Sequence, residues 1–319
     1  MTNRFQILSL DGGGIKGIFS AAVLAHLEDD LQIKVTDHFD LIAGTSTGGI
    51  IALGIGSGMR PKDIVRFYVE KGSVIFPETR LSKIRHCWRS KFDSRILGKA
   101  LRECFGDALL GESRKRLVIP SYNIGEDDVY LFKTSHHERL KRDYKVPMWK
   151  VAMATSAAPT FFPSFQGVDH VRLVDGGVWA NNPTMVSIVE AVSMLKVSLG
   201  AISVFSLGTT DEVKGRSKKL DHGGLWQWKT AAVDVVLRGQ SIGAVTQAQH
   251  LLGIDRVLRL DPKVPDKMFA LDKLSAKELL SKAAHESRHL SPQFSKIFTR
   301  HNAPLFEPCH QIKKEASDA

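Results

Sequence analysis

Phe39-Asp40-Leu41-Ile42-Ala43-Gly44-Thr45-Ser46-Thr47-Gly48-Gly49-Ile50-Ile51-Ala52-Leu53 decides the fold class, because a serine stands between two glycines where a strand pattern meets a helix pattern. Phe39 to Ala43 reads as a short buried strand, and Gly49 to Ile55 as an apolar helix packed inside a domain. Gly44-x-Ser46-x-Gly48 has the form of a nucleophile elbow, in which glycines permit a tight, strained turn that thrusts the serine hydroxyl into a cleft. The positive end of the following helix then lies beside any anion formed there. On the motif alone, a nucleophile and a structural turn both remain open.

Two further segments bear on that choice. Asp11-Gly12-Gly13-Gly14-Ile15-Lys16-Gly17 follows the apolar run Phe5 to Leu10 and precedes a helical pattern at Ile18, Ala21, Ala22, Leu24, Ala25 and Leu27. Consecutive glycines at a strand-to-helix turn leave backbone N–H groups uncovered, which makes an anion-binding nest. Asp175-Gly176-Gly177 follows the strand-like Val171 to Val174 and sets a carboxylate at a strand end. The commoner role of an Asp-Gly pair is a turn aspartate that caps its own loop. A serine hydroxyl is a weak nucleophile until a base takes its proton, and acyl transfer needs donors aimed at the oxyanion. The three segments offer a nucleophile, an oxyanion hole and a base.

In this order the segments resemble the patatin-like phospholipases, whose motifs are G-x-G-x-[RK]-G, G-x-S-x-G and D-G-[GA]. The resemblance also takes in Ser156-Ala157-Ala158-Pro159-Thr160-Phe161-Phe162-Pro163 and Asn181-Asn182-Pro183, and covers roughly residues 4 to 210. It implies an α/β, three-layer patatin-like fold: a mainly parallel central sheet flanked by helices, with a basic lid or cap insertion and a helical C-terminal part. It further implies a Ser-Asp dyad. Ser46 attacks an ester carbonyl, Asp175 is the base, and the amides of Gly12, Gly13 and Gly14 hold the oxyanion. Lys16, Gly17, Gly44, Gly48, Gly176 and Gly177 support the motifs. Water then hydrolyses the acyl-enzyme. No metal and no organic cofactor are expected.

Compact bacterial relatives with this glycine-rich start include effectors of anti-phage defence that a cyclic nucleotide switches on to degrade the cell's own membrane. The resemblance therefore implies membrane phospholipid as substrate and a cyclic di- or trinucleotide as activator. A homo-oligomer is compatible with it, and no nucleic-acid polymer is expected. Alternatives are a constitutive housekeeping lipase or thioesterase, and a non-catalytic scaffold. A dinucleotide-binding protein is the rival on sequence, since Gly12-x-Gly14-x-x-Gly17 also fits the Rossmann fingerprint. That fold wants an acid near the end of its second strand. Asp37 and Asp40 fall at the start of that strand, and the rival leaves Asp175-Gly176-Gly177 without a role.

The chain has 319 residues and is 43% hydrophobic, enough for one large α/β core. We expect a single domain over 1–306, with 76–115 as the lid insertion and 307–319 as a polar tail. No run approaches the ~18 apolar residues of a membrane span, and the first strand begins too early to leave room for a secretory signal. Cys87, Cys104 and Cys309 are odd in number and scattered, as thiols in a reducing cytosol would be. The expected location is cytoplasmic, with peripheral contact to the inner membrane. The histidines lack metal-binding spacing, and His136-His137 would point to opposite faces of a strand.

The net charge of +10 is unevenly spread. Arg80, Lys83, Arg85, Arg89, Lys91, Arg95, Lys99 and Arg102 share their stretch with the single acid Asp93. Two further basic stretches run from Arg139 to Lys145 and from Lys214 to Lys219. Such stretches are solvated surface, or they meet anionic lipid at about 1 kcal/mol per residue, or they bind a phosphate-bearing ligand. Strands are expected at about 5–10, 39–45, 117–122, 128–133, 171–174, 202–207 and 257–260. Helices are expected near 17–30, 47–57, 61–71, 94–105, 147–157, 184–196 and 226–252, with further amphipathic segments at 275–289 and 293–301. Asp211 to Gly224 reads as loop. Trp226 and Trp228 read as part of a core face. Met148, Trp149, Met153, Phe161 and Phe162 fit either an acyl channel or a core.

Overall fold

The computed structural model describes residues 4–75, 90–213, 215–265 and 276–311. Seven strands form the main sheet among these residues. At its centre β1 (Phe5–Leu10) runs parallel to β2 (Leu41–Gly44) on one side and to β6 (Ile202–Leu207) on the other. The registers Leu10↔Gly44 and Leu10↔Leu207 bring the C-terminal ends of all three strands level. Beyond β6 lies β8 (Val257–Leu260), again parallel. Beyond β2 lies β3 (Arg116–Asn123), then β4 (Asp128–Lys133), which is antiparallel to β3.

The short β2 has a consequence for the site. It pairs with only the first half of β3, from Arg116 to Val118, and ends at Gly44. The far half of that β3 edge is taken by β5 (Leu173–Asp175), antiparallel, with Asp175 opposite Ser121. Asp175 thereby comes to lie just past the end of β2, where the chain turns at Ser46.

Alternate residues of each central strand feed two cores, as the period of two requires. Leu8, Leu10 and Ile42 pack with Phe19 and Leu24 of α1 (Gly17–Leu31), Tyr68 of α3 (Pro61–Ile75) and Phe294 of α9 (Ala276–Phe298). Phe39, Phe205, Phe294 and Phe298 form an aromatic cluster, with Phe205 and Phe294 centroids 5.3 Å apart. On the other face, Ile7, Leu41, Ala43 and Val118 meet Ile188 of α7 (Thr184–Ser193) and Ala248 of α8 (Leu225–Leu252). The order is thus helices, mainly parallel sheet, helices. The remaining helices are α2 (Thr47–Ser57), α4 (Ser94–Phe105), α5 (Met148–Thr155) and the single turn α6 (Gly177–Ala180).

Several expectations change. The two segments at 275–289 and 293–301 are one helix, which continues through Pro292 to Phe298. Its apolar face at Leu279, Ala283, Leu290, Phe294 and Phe298 is buried throughout, which outweighs the one hydrogen bond the proline removes. Asp211–Val213 is not loop: it forms β7 and pairs in parallel with β9 (Lys263–Pro265). The core face of α8 comes from Ala244, Ala248 and Leu252, whereas Trp226 is 79% exposed. Residues 76–89 of the expected lid, with Arg80, Lys83, Arg85, Cys87 and Arg89, lie outside the described residues, as does 312–319 of the expected tail. The rest of that insertion includes α4, which buries Leu97, Ala100, Leu101 and Phe105.

Candidate active site

The three sequence segments meet at the C-terminal edge of β1 and β2. Ser46 leaves β2 with φ 55° and ψ −122°, a conformation L-residues rarely adopt, and caps the start of α2. Close approach makes that turn possible: a Cβ on Gly48 would overlap the backbone of Leu10 and Asp11, so only glycine lets α2 start this near β1. The Ser46 N–H donates to Thr155 Oγ1 at 3.0 Å. Thr45 and Thr47 on either side are buried, while Ser46 is half-exposed. The turn thus presents the Ser46 side chain and hides its neighbours.

Asp175 is held by its backbone N–H, which donates to Ala157 O at 3.0 Å, and by the Gly177 N–H, which donates to its Oδ1 at 2.7 Å. Burial pushes its carboxyl up to about 6, against the opposing pull of hydrogen bonding by the Ser46 hydroxyl and the Gly177 N–H. No cation among the described residues contributes to that balance. A buried carboxylate facing a serine hydroxyl, with no lysine or arginine among the described residues to neutralise it, is a stronger base than one in water.

The glycine loop lies against the elbow. A Cβ built on Gly12 would stand 3.2 Å from Ser46 Cβ and 2.6 Å from Asn181 Oδ1. The Gly12 N–H donates to Asn181 O at 3.0 Å, so this amide is already engaged. Gly14 has φ 57°, a left-handed backbone that favours glycine, and opens the single turn Gly14–Lys16 that leads into α1. The N–H groups of Gly13 and Gly14 have no acceptor among the described residues. Of the three amides expected to hold an oxyanion, only those of Gly13 and Gly14 are left unengaged by the described residues. Lys16 is buried and supports the loop from beneath: its Nζ donates to Thr210 O at 3.2 Å and lies 3.8 Å from Glu212. Gly176 and Gly177 let the chain turn back over the site, where Thr45 Oγ1 donates to Ala180 O at 2.6 Å.

Behind the loop lies a buried ion network that the sequence reading missed. Arg259 of β8 grips Asp11 with two hydrogen bonds, Nη1 to Oδ1 at 2.9 Å and Nη2 to Oδ2 at 2.7 Å. Its Nη2 also reaches Asp261 Oδ2 at 2.8 Å. Burial pushes Asp11 up to about 6 despite the pull of Arg259. The available signal was an arginine inside the apolar strand Val257-Leu258-Arg259-Leu260, where a charge needs a buried partner. Asn182 joins the network through Ser206 Oγ, at 3.2 Å.

His136 lies past the end of β4 and not in a strand, and both its ring nitrogens are engaged, with Thr134 Oγ1 at 2.9 Å and Glu190 Oε1 at 2.8 Å. Burial holds its pKa below the usual imidazole value in spite of Glu190. Met148, Met153 and Phe162 are buried in the core, and Arg102 stacks on Trp149 at 3.9 Å. No group of three or more metal-ligating side chains exists among the described residues.

Residues 8–188 match the family model for patatin-like phospholipase. The chain belongs to the patatin-like phospholipase family. It is 31% identical over 319 residues to a cGAMP-activated phospholipase of Pseudomonas aeruginosa, covering 95% of this chain and 94% of the relative. A cGAMP-activated phospholipase of Vibrio cholerae is 28% identical, covering 93% of each chain. Among solved structures, VipD from Legionella pneumophila aligns with a TM-score of 0.47 and 12% identity, over 91% of this chain and 67% of that one. As a patatin-like phospholipase the chain is an ester hydrolase, and the dinucleotide-binding alternative falls away.

Proposed function

We propose that this patatin-like phospholipase cleaves membrane phospholipid through a Ser46-Asp175 dyad, and that a cyclic nucleotide switches it on. The observation that carries the dyad is Ser46 in its left-handed turn, facing a buried Asp175 whose carboxyl sits at about 6. Ser46 Oγ attacks the ester carbonyl as Asp175 accepts its proton. The N–H groups of Gly13 and Gly14 receive the negative charge on the carbonyl oxygen. Asp175 then returns the proton to the departing lysophospholipid alcohol. In the second half-reaction Asp175 takes a proton from water, which attacks the acyl-enzyme and releases a fatty acid and free Ser46.

The activation reading draws on the relatives named cGAMP-activated phospholipase, which align along nearly their whole length. Its physical sense is that an unregulated phospholipase is hazardous to its own cell, which fits a role in antiviral defence.

Membrane contact is part of the same proposal. No helix among the described residues is long and apolar enough to cross a bilayer. Val233, Val236 and Ile242 of α8 are exposed by 61%, 60% and 54%, and Trp226 by 79%. This apolar helix reaches the site mouth, where Ser241 Oγ accepts from Asn181 Nδ2 at 3.1 Å. Exposed apolar side chains beside the site mouth suit a peripheral lipid interface.

The test is release of fatty acid from phospholipid vesicles by the purified protein, with and without a panel of cyclic di- and trinucleotides. Hydrolysis that depends on one nucleotide is the expected result. Full hydrolysis without any nucleotide would favour a constitutive lipase, and no hydrolysis under any condition would remove the phospholipid substrate.

A further inference from the structure

A second concave site lies away from the dyad and is strongly cationic. It is an open cleft of about 280 Å³ between the segment 141–150 and the turn 167–169. Lys141, Arg142, Lys145 and Lys150 line it, against the single carboxylate of Asp169. Arg142 is committed to Asp143, with Nε to Oδ1 at 3.3 Å, and its guanidinium lies over Tyr130. Lys141, Lys145 and Lys150 form no ion pair among the described residues. Lys145 and Lys150 instead lie over the rings of Tyr144 and Trp149, at 5.4 and 5.7 Å from the centroids. The cleft also takes in Pro147, the residue that opens α5, so the positive end of that helix adds to the field. Unpaired lysines and a helix start around one hollow form a phosphate-binding environment.

Both walls of the cleft lead to the dyad. One wall begins α5, and the last residue of α5 is Thr155, whose hydroxyl accepts from the Ser46 N–H. Lys150 lies in the first turn of α5, and about five residues of helix, roughly 8 Å, lead from it to Thr155 at the elbow. The other wall is the tip of a hairpin in which Phe165 and Leu173 exchange backbone hydrogen bonds at 2.8 and 2.9 Å. Two residues beyond Leu173 the chain reaches Asp175. That tip is strained: Asp169 and His170, consecutive non-glycine residues, have φ 41° and 61°.

We propose that this cleft is a regulatory site for a phosphate-bearing ligand, which draws the 141–150 segment and the 167–169 turn together and so sets the spacing of Ser46 and Asp175. It rests on the reading that an anionic nucleotide switches the enzyme on, and it gives that ligand a place. A cyclic nucleotide and a lipid head group share the phosphodiester chemistry, so the test needs an arm for each.

The test compares wild type with the triple variant Lys141→Gln/Lys145→Gln/Lys150→Gln and with the matching triple arginine variant, all melted thermally to confirm folding. Binding of cGAMP and of inorganic pyrophosphate is measured by calorimetry. Hydrolysis of a short soluble ester is measured with cGAMP, with phosphatidylglycerol vesicles and with neither. The expected result is at least about tenfold weaker anion binding and loss of stimulation in the glutamine variant, with both retained by the arginine variant. The arm that loses its response names the ligand's source. Equal stimulation and binding in wild type and a folded glutamine variant would overturn the proposal while leaving nucleotide activation intact. A wild type that cGAMP does not stimulate would instead contradict the activation reading. The cleft then stands if pyrophosphate or the vesicles bind through these lysines, and is overturned if neither does.

Discussion

The backbone N–H of Ser46 donates to the hydroxyl of Thr155 at 3.0 Å, and that hydroxyl donates in turn to the carbonyl of Pro120 at 2.6 Å. One buried hydroxyl thus ties the strained elbow to β3, the strand that also carries Asp175 through β5. The nucleophile and its base are referred to a common frame, although they stand 129 positions apart in the sequence.

Thr155→Val keeps the side-chain volume and removes both hydrogen bonds. The Ser46 N–H then loses its acceptor, at about 1–3 kcal/mol for a buried group. We expect kcat to fall about tenfold or more with KM little changed, and Thr155→Ser to restore most of it. A fully active, folded Thr155→Val enzyme would show that the elbow holds its shape without this tie.

Asp175 gives two pH signatures. Because its carboxyl must be ionised to act as base, kcat/KM on a soluble ester should rise through a midpoint near pH 6. For stability the sign is opposite. The folded value exceeds the ordinary carboxyl value of 3.8, so the stabilising contribution is complete below that pH and is lost as pH rises through about 6. Above pH 7 the buried charge therefore costs the fold on the order of 3 kcal/mol. Asp175→Asn should abolish turnover yet melt higher than wild type at pH 8, with the gain vanishing near pH 4. A lower melting temperature at pH 8 would mean that the carboxylate is a structural anchor.

The grip of Arg259 on Asp11 fixes the start of the glycine loop. Arg259→Gln leaves a buried carboxylate without its cation, which costs about 3–5 kcal/mol. Asp11→Asn in the same chain should recover much of that stability, because the uncompensated charge is gone. Thermal melts of the two single variants and the double variant measure this coupling. Additive losses would show that the pair is not a unit.

Much of this was legible in the chain. The strands at 5–10, 128–133, 202–207 and 257–260 stand where alternation and glycine turns place them, and the three motif segments do meet at one sheet edge. Local pattern could give the type of each element but not its partners. β7 and β9 are three-residue strands whose pairing spans a sequence gap of more than forty residues, too short and too distant for any periodicity. Trp226 carries a core-like pattern, yet its helix leaves that end uncovered, since apolar spacing does not say which face a neighbour will bury. Thr155 lies in an unremarkable helix end, and its bond to Ser46 exists only after β2 and β3 have paired. Gly12 belongs to the glycine nest in sequence, but Asn181 reaches its N–H through a tertiary contact.

Gly13 faces the side chain of Thr209, which a Cβ at this position would overlap. Gly13→Ala should therefore displace the loop and its two unengaged amides, lowering kcat by about 10²-fold with a modest change in KM. The partner change Thr209→Gly opens the space and should return part of the rate. An unaltered kcat in Gly13→Ala would move the oxyanion site to another donor, with the Thr47 amide the nearest in sequence to Ser46.

The most direct measurement of the central claim is covalent trapping of the nucleophile. The purified enzyme is treated with a fluorophosphonate, digested, and the adduct located by mass spectrometry, beside turnover assays of Ser46→Ala and Asp175→Asn. The account predicts one adduct, on Ser46, no detectable hydrolysis by Ser46→Ala, and much slower labelling of Asp175→Asn. An adduct on a different serine, or a Ser46→Ala enzyme that still hydrolyses phospholipid, would contradict it.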